Sequence, residues 1–226
     1  MKPLLQNPVY HSLLFNDSHL GFGEGKVRCF HEEVSPFAGF EEGYSQGFDE
    51  LYHLLPAKRR ILFASPQVHA TPKGWQLAVA VEGLQFLFEG KEQTEDLSFQ
   101  QTPLTEEHIP QMLALAKLTK PGPFGQRTIE FGHYHGVFEG DKLVAMTGQR
   151  LHVQNFTEFS AVCTHPNYLG KGYATALVQH QVNLILRNGQ QPFLHVRADN
   201  SRAIAVYERL GFVVQGPMNF YFLRKE

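Results

Sequence analysis

The sequence is short of the features that would settle a function at once. Only two cysteines, Cys29 and Cys163, occur in 226 residues, so no disulfide framework can be built and a reducing, cytoplasmic setting is expected. No apolar run approaches the roughly 18 residues of a membrane span, and the opening residues Met1-Lys2-Pro3-Leu4-Leu5-Gln6-Asn7-Pro8 lack the long apolar stretch of a signal peptide. An excess of one charge is missing too: 20 Lys and Arg against 22 Asp and Glu leave a net of −2, no field suited to nucleic acid. Twelve histidines are present, but none in a His-Glu-x-x-His spacing, and His133 and His135, alternating on an expected strand, make a pair and no metal site. Neither a metal nor nucleic acid nor a membrane is therefore expected as a partner.

What is present can fill a core: the hydrophobic set is 42% and the charged set 19%, which separates the chain from disordered acidic or basic tails. The polar, aperiodic stretch 89–96 reads as a surface connection. It divides the chain into an N-terminal α+β lobe, residues 1–100, and a second unit, residues 101–226. In the first, residues 20–30 with Gly21, Gly23 and Gly25 suggest a hairpin, with no phosphate role because no helix follows. Phe48, Leu51, Tyr52 and Leu55 are spaced as on a helix, and 61–64, 76–81 and 84–88 read as strands, the last two joined by a Glu82-Gly83 turn. In the second, Thr105 can cap a helix to about residue 118, before Pro121-Gly122-Pro123. Strands follow at 134–138, 142–151 and 158–164. Then come a long helix, a strand at 192–197, a helix from Asn200 to Gly211, and strands at 212–214 and 219–223. Strands alternating with helices imply an α/β layer fold.

The most informative stretch is Val162-Cys163-Thr164-His165-Pro166-Asn167-Tyr168-Leu169-Gly170-Lys171-Gly172-Tyr173-Ala174-Thr175-Ala176-Leu177. A strand enters a glycine turn, and the turn opens a helix. Ala174, Leu177, Val178, Val182, Ile185 and Leu186 recur at the helical period, with Gln179, Asn183 and Arg187 opposite and Gly189 placed for a left-handed C-terminal cap. The first turn of a helix carries free N–H groups and partial positive charge, and glycine lets a phosphate come close. Gly170 and Gly172 thus admit two readings, a pyrophosphate cradle or a tight turn that needs glycine only for its dihedral angles. Two phosphate motifs are excluded. A P-loop would need glycine at 165 and Ser or Thr after the Gly-Lys pair, where His165 and Gly172 stand; a dinucleotide fingerprint would need Gly or Ala where Thr175 stands.

Leu169-Gly170-Lys171-Gly172-Tyr173-Ala174 resembles the acyl-CoA pyrophosphate loop of the GNAT superfamily of N-acetyltransferases. Gly172 and Ala174 fit that loop, while Leu169 stands where the family carries Gln or Arg. The preceding residues 162–166 resemble the family's strand beside the pantetheine arm. A second block, Pro192-Phe193-Leu194-His195-Val196-Arg197 followed by Asn200, Tyr207 and Gly211-Phe212, resembles the family's second signature, in wording most similar to its glycine N-acyltransferase-like branch. The resemblance covers residues 104–226; the N-terminal half is similar to bacterial two-lobed members. It implies the GNAT fold, a mixed, mostly antiparallel sheet flanked by helices, with a smaller N-terminal lobe covering the acceptor side.

The resemblance also implies roles. Tyr207 would be the general acid that protonates the departing CoA thiolate; its spacing with Ala203, Val206 and Leu210 equally suits packing, and one residue can do both. Val162, Cys163 and Thr164 would supply a backbone donor to the thioester carbonyl, a role that suits Cys163 better than that of a nucleophile, for which no His-Cys arrangement at recognisable spacing argues. Leu169, Gly170, Lys171, Gly172, Tyr173, Ala174 and Thr175 would hold acetyl-CoA, with Lys171 either on a phosphate or solvated. Asn200 is an N-cap, a contact to the CoA arm, or both. For the base there are two candidates. Glu158 would be a carboxylate acting through water or a solvated strand end; His195 would be a base or a packed ring. The function implied is transfer of an acetyl group to the primary amine of a small molecule or peptide by direct attack. Two alternatives are an amino-acid N-acyltransferase with a longer acyl donor and an acyl-CoA-binding module without turnover.

Overall fold

The computed structural model describes residues 1–92, 94 and 100–226; of the expected connection at 89–96, residues 93, 95 and 96 lie outside this set. Three short strands, β1 (Gly21–Phe22), β2 (Val27–Phe30) and β3 (Ala38–Phe40), form a small sheet in which β1 and β2 make the expected hairpin. The larger sheet has eight strands. In chain order they are β4 (Arg60–Ser65), β5 (Trp75–Phe88), β6 (Thr102–Pro103), β7 (His135–Glu139), β8 (Lys142–Val153), β9 (Phe156–Thr164), β10 (Gln191–Arg197) and β11 (Phe212–Lys225). In space the order is β4-β11-β5-β10-β9-β8-β7-β6, with every pair antiparallel except β10 beside β9. This is the mixed, mostly antiparallel sheet expected. Segments 1–100 and 101–226 both contribute to it, because β5 lies between β10 and β11.

Two strand expectations are corrected. Residues 82 and 83 make no turn; β5 runs unbroken through them. Gly83 marks close packing instead, since a Cβ there would lie 2.8 Å from Phe220 Cε2, 3.0 Å from the Met218 carbonyl oxygen and 3.1 Å from that of Val196. Likewise 212–214 and 219–223 belong to one strand, β11, which absorbs its irregularity in a bulge between Val214 and Gly216. His133 and His135 do not alternate on a strand either: β7 starts at His135, and His133 has a left-handed backbone before it.

The helices are α1 (Pro8–Leu14), α2 (Gly47–Leu54), α3 (Ile109–Thr119), α4 (Tyr173–Arg187) and α5 (Ser201–Arg209). Thr105 closes a capping box with His108 over the short 3-10 turn that leads into α3. Strand alternation sorts the core into two layers. Phe193 and Leu87 pack with Leu5, Val9 and Leu13 of the N-terminal segment, whereas Leu194, Val196, Phe86 and Phe88 pack with Val178, Val182 and Ile185 of α4 and with Tyr207 of α5. The N-terminal segment is also bound by polar contacts: Gln85 Nε2 donates to the Leu5 carbonyl (2.8 Å), and Asp17 accepts from the His152 backbone N–H (2.8 Å). Asn183, expected on the solvent side of α4, is buried, as is Gln181, which donates to the His133 carbonyl (2.6 Å) from a loop that covers this side of the helix. Gly189 has the left-handed backbone expected after α4. Among the described residues no helix is long and apolar enough to cross a membrane.

Replacing Gly83 with alanine pushes a methyl group against two backbone carbonyls that cannot retreat. The expected loss is ~1–3 kcal/mol of unfolding free energy, as for other overpacked sites. Urea denaturation measures it, and an unchanged midpoint would contradict the close approach.

Candidate active site

The parallel pair of strands in the large sheet, the one such pair among the described strands, creates the site. β9 and β10 are in register at Phe156–Gln191, Thr157–Pro192 and Glu158–Phe193, and there the pairing ends. Beyond it β10 continues along β5 as far as Arg197–Gly83, and β9 continues along β8 to Thr164–Ala145. The strands therefore part, and a cavity of about 1220 Å³ opens between them through the plane of the sheet.

Its wall on the α4 and α5 side is rich in unpaired donors. A bulge in β9 sets Ala161, with a left-handed backbone, and Val162 out of register with β8. The His165 N–H donates to Val144 (2.7 Å), so by alternation the Cys163 amide faces β8, while those of Val162 and Thr164 face the opening. Thr164 Oγ1 is buried with no hydrogen-bond partner among the described residues. Gly170 and Gly172 both have positive φ (81° and 87°), and α4 starts directly after Gly172 with no side-chain cap. Among the described residues the first-turn amides of Ala174 and Thr175 therefore have neither an intrahelical nor a side-chain capping partner. Lys171 pairs with Glu139 (3.1 Å) and lies over the Tyr168 ring. Asn200 caps α5 by accepting from the Ala203 N–H (3.2 Å) and also lines the cavity.

Tyr207 is packed among Phe86, Phe159 and Phe212, and burial pushes its phenol up to about 12. Its hydroxyl has no hydrogen-bond partner among the described residues. The ring is thus both packed and directed at the cavity wall. Burial likewise raises the Cys163 thiol to about 11, so it stays protonated at neutral pH and is a poor nucleophile.

Where β9 and β10 part lies a chain of buried polar side chains. Glu158 accepts from Arg150 Nε (2.9 Å) and Nη2 (2.7 Å) and bonds His195 Nδ1 (2.9 Å). His195 Nε2 in turn meets Gln85 Nε2 (2.9 Å). The Gln85 amide also donates to Leu5, so these contacts agree when His195 carries its proton on Nδ1 and accepts at Nε2. Burial pushes the Glu158 carboxyl upward, but Arg150 and His195 outweigh it and hold the pKa at about 2, against 4.5 ordinarily. Glu158 is fully buried, which disposes of the solvated strand end as an alternative. Of the fourteen residues singled out in the sequence, thirteen line the cavity: Val162, Cys163, Thr164, Leu169, Gly170, Lys171, Gly172, Tyr173, Ala174, Thr175, His195, Asn200 and Tyr207. Glu158 stands behind the wall and reaches it through Arg150 and His195.

Residues 134–221 match the model of the FR47-like protein family. A solved structure from Novosphingobium aromaticivorans, described as a GNAT-family acetyltransferase, shares 32% identity over 98% of both chains with a TM-score of 0.92. The chain belongs to the GNAT family of acetyltransferases. A mycothiol acetyltransferase from Corynebacterium efficiens is 34% identical over 79 residues, which is 34% of this chain and only 27% of that protein's length. A GCN5-related N-acetyltransferase-like protein from Streptococcus suis, 13% identical, shares the fold over 95% of this chain and 92% of its own with a TM-score of 0.61. GNAT acetyltransferases use acetyl-CoA, and the wall of this GNAT cavity fits such a donor on three counts: open amides at the start of α4, open amides on β9, and the orphaned Thr164 hydroxyl. Among the described residues no group of three or more His, Cys, Asp or Glu is arranged to hold a metal.

Part of the wall is absent from the sequence reading. Phe37, Leu62, Val79 and Val81 come from the first hundred residues, Arg150 from β8, and Phe220 and Phe222 from β11. The alternation of Phe220 and Phe222 was a usable signal; nothing local marks Phe37.

The Glu158 pairing makes a pH prediction. Its folded pKa lies below its unfolded value, so its contribution is complete above pH 4.5 and drains away as pH falls toward 2. Glu158→Gln leaves Arg150 buried without its anion and is expected to cost ~3–5 kcal/mol at neutral pH. The stability difference between wild type and variant should shrink between pH 4.5 and 2; a constant difference, by urea melts at each pH, would contradict the pairing.

Proposed function

We propose that this protein transfers an acetyl group from acetyl-CoA to a primary amine of a small molecule or peptide, by direct attack while both substrates are bound. The supporting observation is the opening in the sheet, with an amide-lined wall and Tyr207 toward α4 and α5 and an apolar wall toward the N-terminal segment. On this reading the diphosphate rests on the amides after Gly170, the thioester carbonyl accepts from Val162 or Thr164, and Asn200 steadies the arm. Charge developing on that oxygen is met by donors already in place. Tyr207, still protonated at neutral pH, donates to the sulfur as the carbon–sulfur bond breaks.

No carboxylate lines the cavity among the described residues, and His195 does. We read His195 as the acceptor of the amine's proton at Nε2, which exchanges its contact with the Gln85 amide for the incoming amine, and Glu158 as the positioning residue that holds the ring and Arg150. The N-terminal segment, residues 1–100, serves as the acceptor-side cover and not as a second catalytic unit. No observation favours a longer acyl donor or a module without turnover.

Tyr207→Phe should lower kcat by ~10²-fold or more, with KM for acetyl-CoA little changed. Release of CoA thiol over an amine panel measures this, and full turnover in the variant would remove Tyr207 from the acid role. Gly172→Val forces a branched side chain into a left-handed backbone at the start of α4, and should raise KM for acetyl-CoA about tenfold or more by displacing the cradle. His195→Ala should change the shape of the kcat/KM profile against pH, whereas a merely packed ring would scale the whole profile down.

A further inference from the structure

Arg150 carries five N–H donors in a planar fork. Nε and Nη2 are engaged by the two oxygens of Glu158, at 2.9 and 2.7 Å. Nη1 makes no hydrogen bond among the described residues. The side chain keeps 11% of its surface exposed, and that surface is cavity wall. The guanidinium cannot swing away to solvent, because Glu158 holds one edge and its plane is stacked over Phe37, with Cζ 4.9 Å from the ring centre. Leu62, Phe220 and Phe222 line the same cavity and belong with Phe37 to one apolar cluster. A fixed cation with an open end, set in an apolar chamber, suits a planar anion attached to an apolar body.

We propose that the acceptor carries a carboxylate beside its amine, that Arg150 Nη1 binds this carboxylate, and that the acceptor's apolar side chain lies against Phe37, Phe220 and Phe222. The substrate class is then the apolar amino acid, free or with its carboxylate close to the reacting amine. The inference rests on the acetyl-transfer reading and narrows it. A carboxylate on the acyl group of the donor would offer the same chemistry. The acceptor is favoured because Arg150 stacks on Phe37 of the N-terminal segment, away from the amides of α4.

With acetyl-CoA fixed, thiol release is compared within two sets, phenylalanine against phenylalaninamide and phenethylamine, and leucine against leucinamide and isopentylamine. The amides keep the skeleton, lose the charge and carry a less basic amine, whereas the alkylamines carry a more basic one, so the carboxylate member lies between them and basicity alone does not decide the result. The carboxylate member of each set is expected to show kcat/KM higher by about tenfold or more, the scale of one charge-assisted hydrogen bond. Equal or better turnover of the uncharged members overturns the proposal, and so does acetylation of other amines with no turnover of either set. If phenethylamine with succinyl-CoA outpaces phenylalanine with acetyl-CoA, the carboxylate belongs to the donor and the proposal fails. Arg150→Met should level each set, and Arg150→Lys should keep part of the preference; should either variant not fold, the wild-type comparison decides alone. No thiol release with any amine would instead count against acetyl transfer itself.

Discussion

Two parallel strands that separate leave backbone and side-chain groups without partners in the middle of a sheet. Here the separation begins at Glu158 and Phe193, and the Arg150–Glu158–His195–Gln85 chain occupies it. Each member satisfies a neighbour: guanidinium to carboxylate, carboxylate to imidazole, imidazole to amide, amide to the Leu5 carbonyl. The strands can diverge at this point because most of the polar groups there are bonded to one another; among the described residues Gln85 Oε1 and Arg150 Nη1 are left over. An unpaired charge in the same place would cost more than the sheet could return. The same chain sets the chemistry of the chamber, since it fixes which His195 nitrogen holds a proton and which way Arg150 points.

The cavity wall toward α4 and α5 was legible because it is local. Gly170, Gly172 and the apolar spacing of α4 lie within one stretch of chain, and a strand–turn–helix unit determines where its own amides point. Asn200 and Tyr207 follow the same logic, one at the cap of a short helix and the other two turns along it. Helix ends and strands were read closely where periodicity was strong. Glycine was the weak point: Gly83 looked like a turn because turns and tight strand packing both call for a missing side chain, and only the neighbours Phe220 and Met218 tell them apart.

The cavity wall toward the N-terminal segment was not legible because it is assembled from distant segments. Phe37 sits in the connection between β2 and β3, Arg150 near the end of β8, and Phe220 late in β11. None has a local pattern that says more than buried or polar. Glu158 illustrates the limit: its position at the start of a strand suggested an exposed carboxylate, and only Arg150 across the ladder shows why it is buried and charged.

The placement of β5 between β10 and β11 has a consequence for how the molecule comes into being. Residues 83–87 border residues 193–197, over a hundred positions later, so the chamber is bordered by segments far apart in the chain. Such distant pairings are entropically slow to form. A nascent polypeptide on the ribosome can shape the glycine turn and its helix well before the chamber has a back wall. Competence should therefore arrive in one late step, when the last strand docks, and not accumulate as synthesis proceeds.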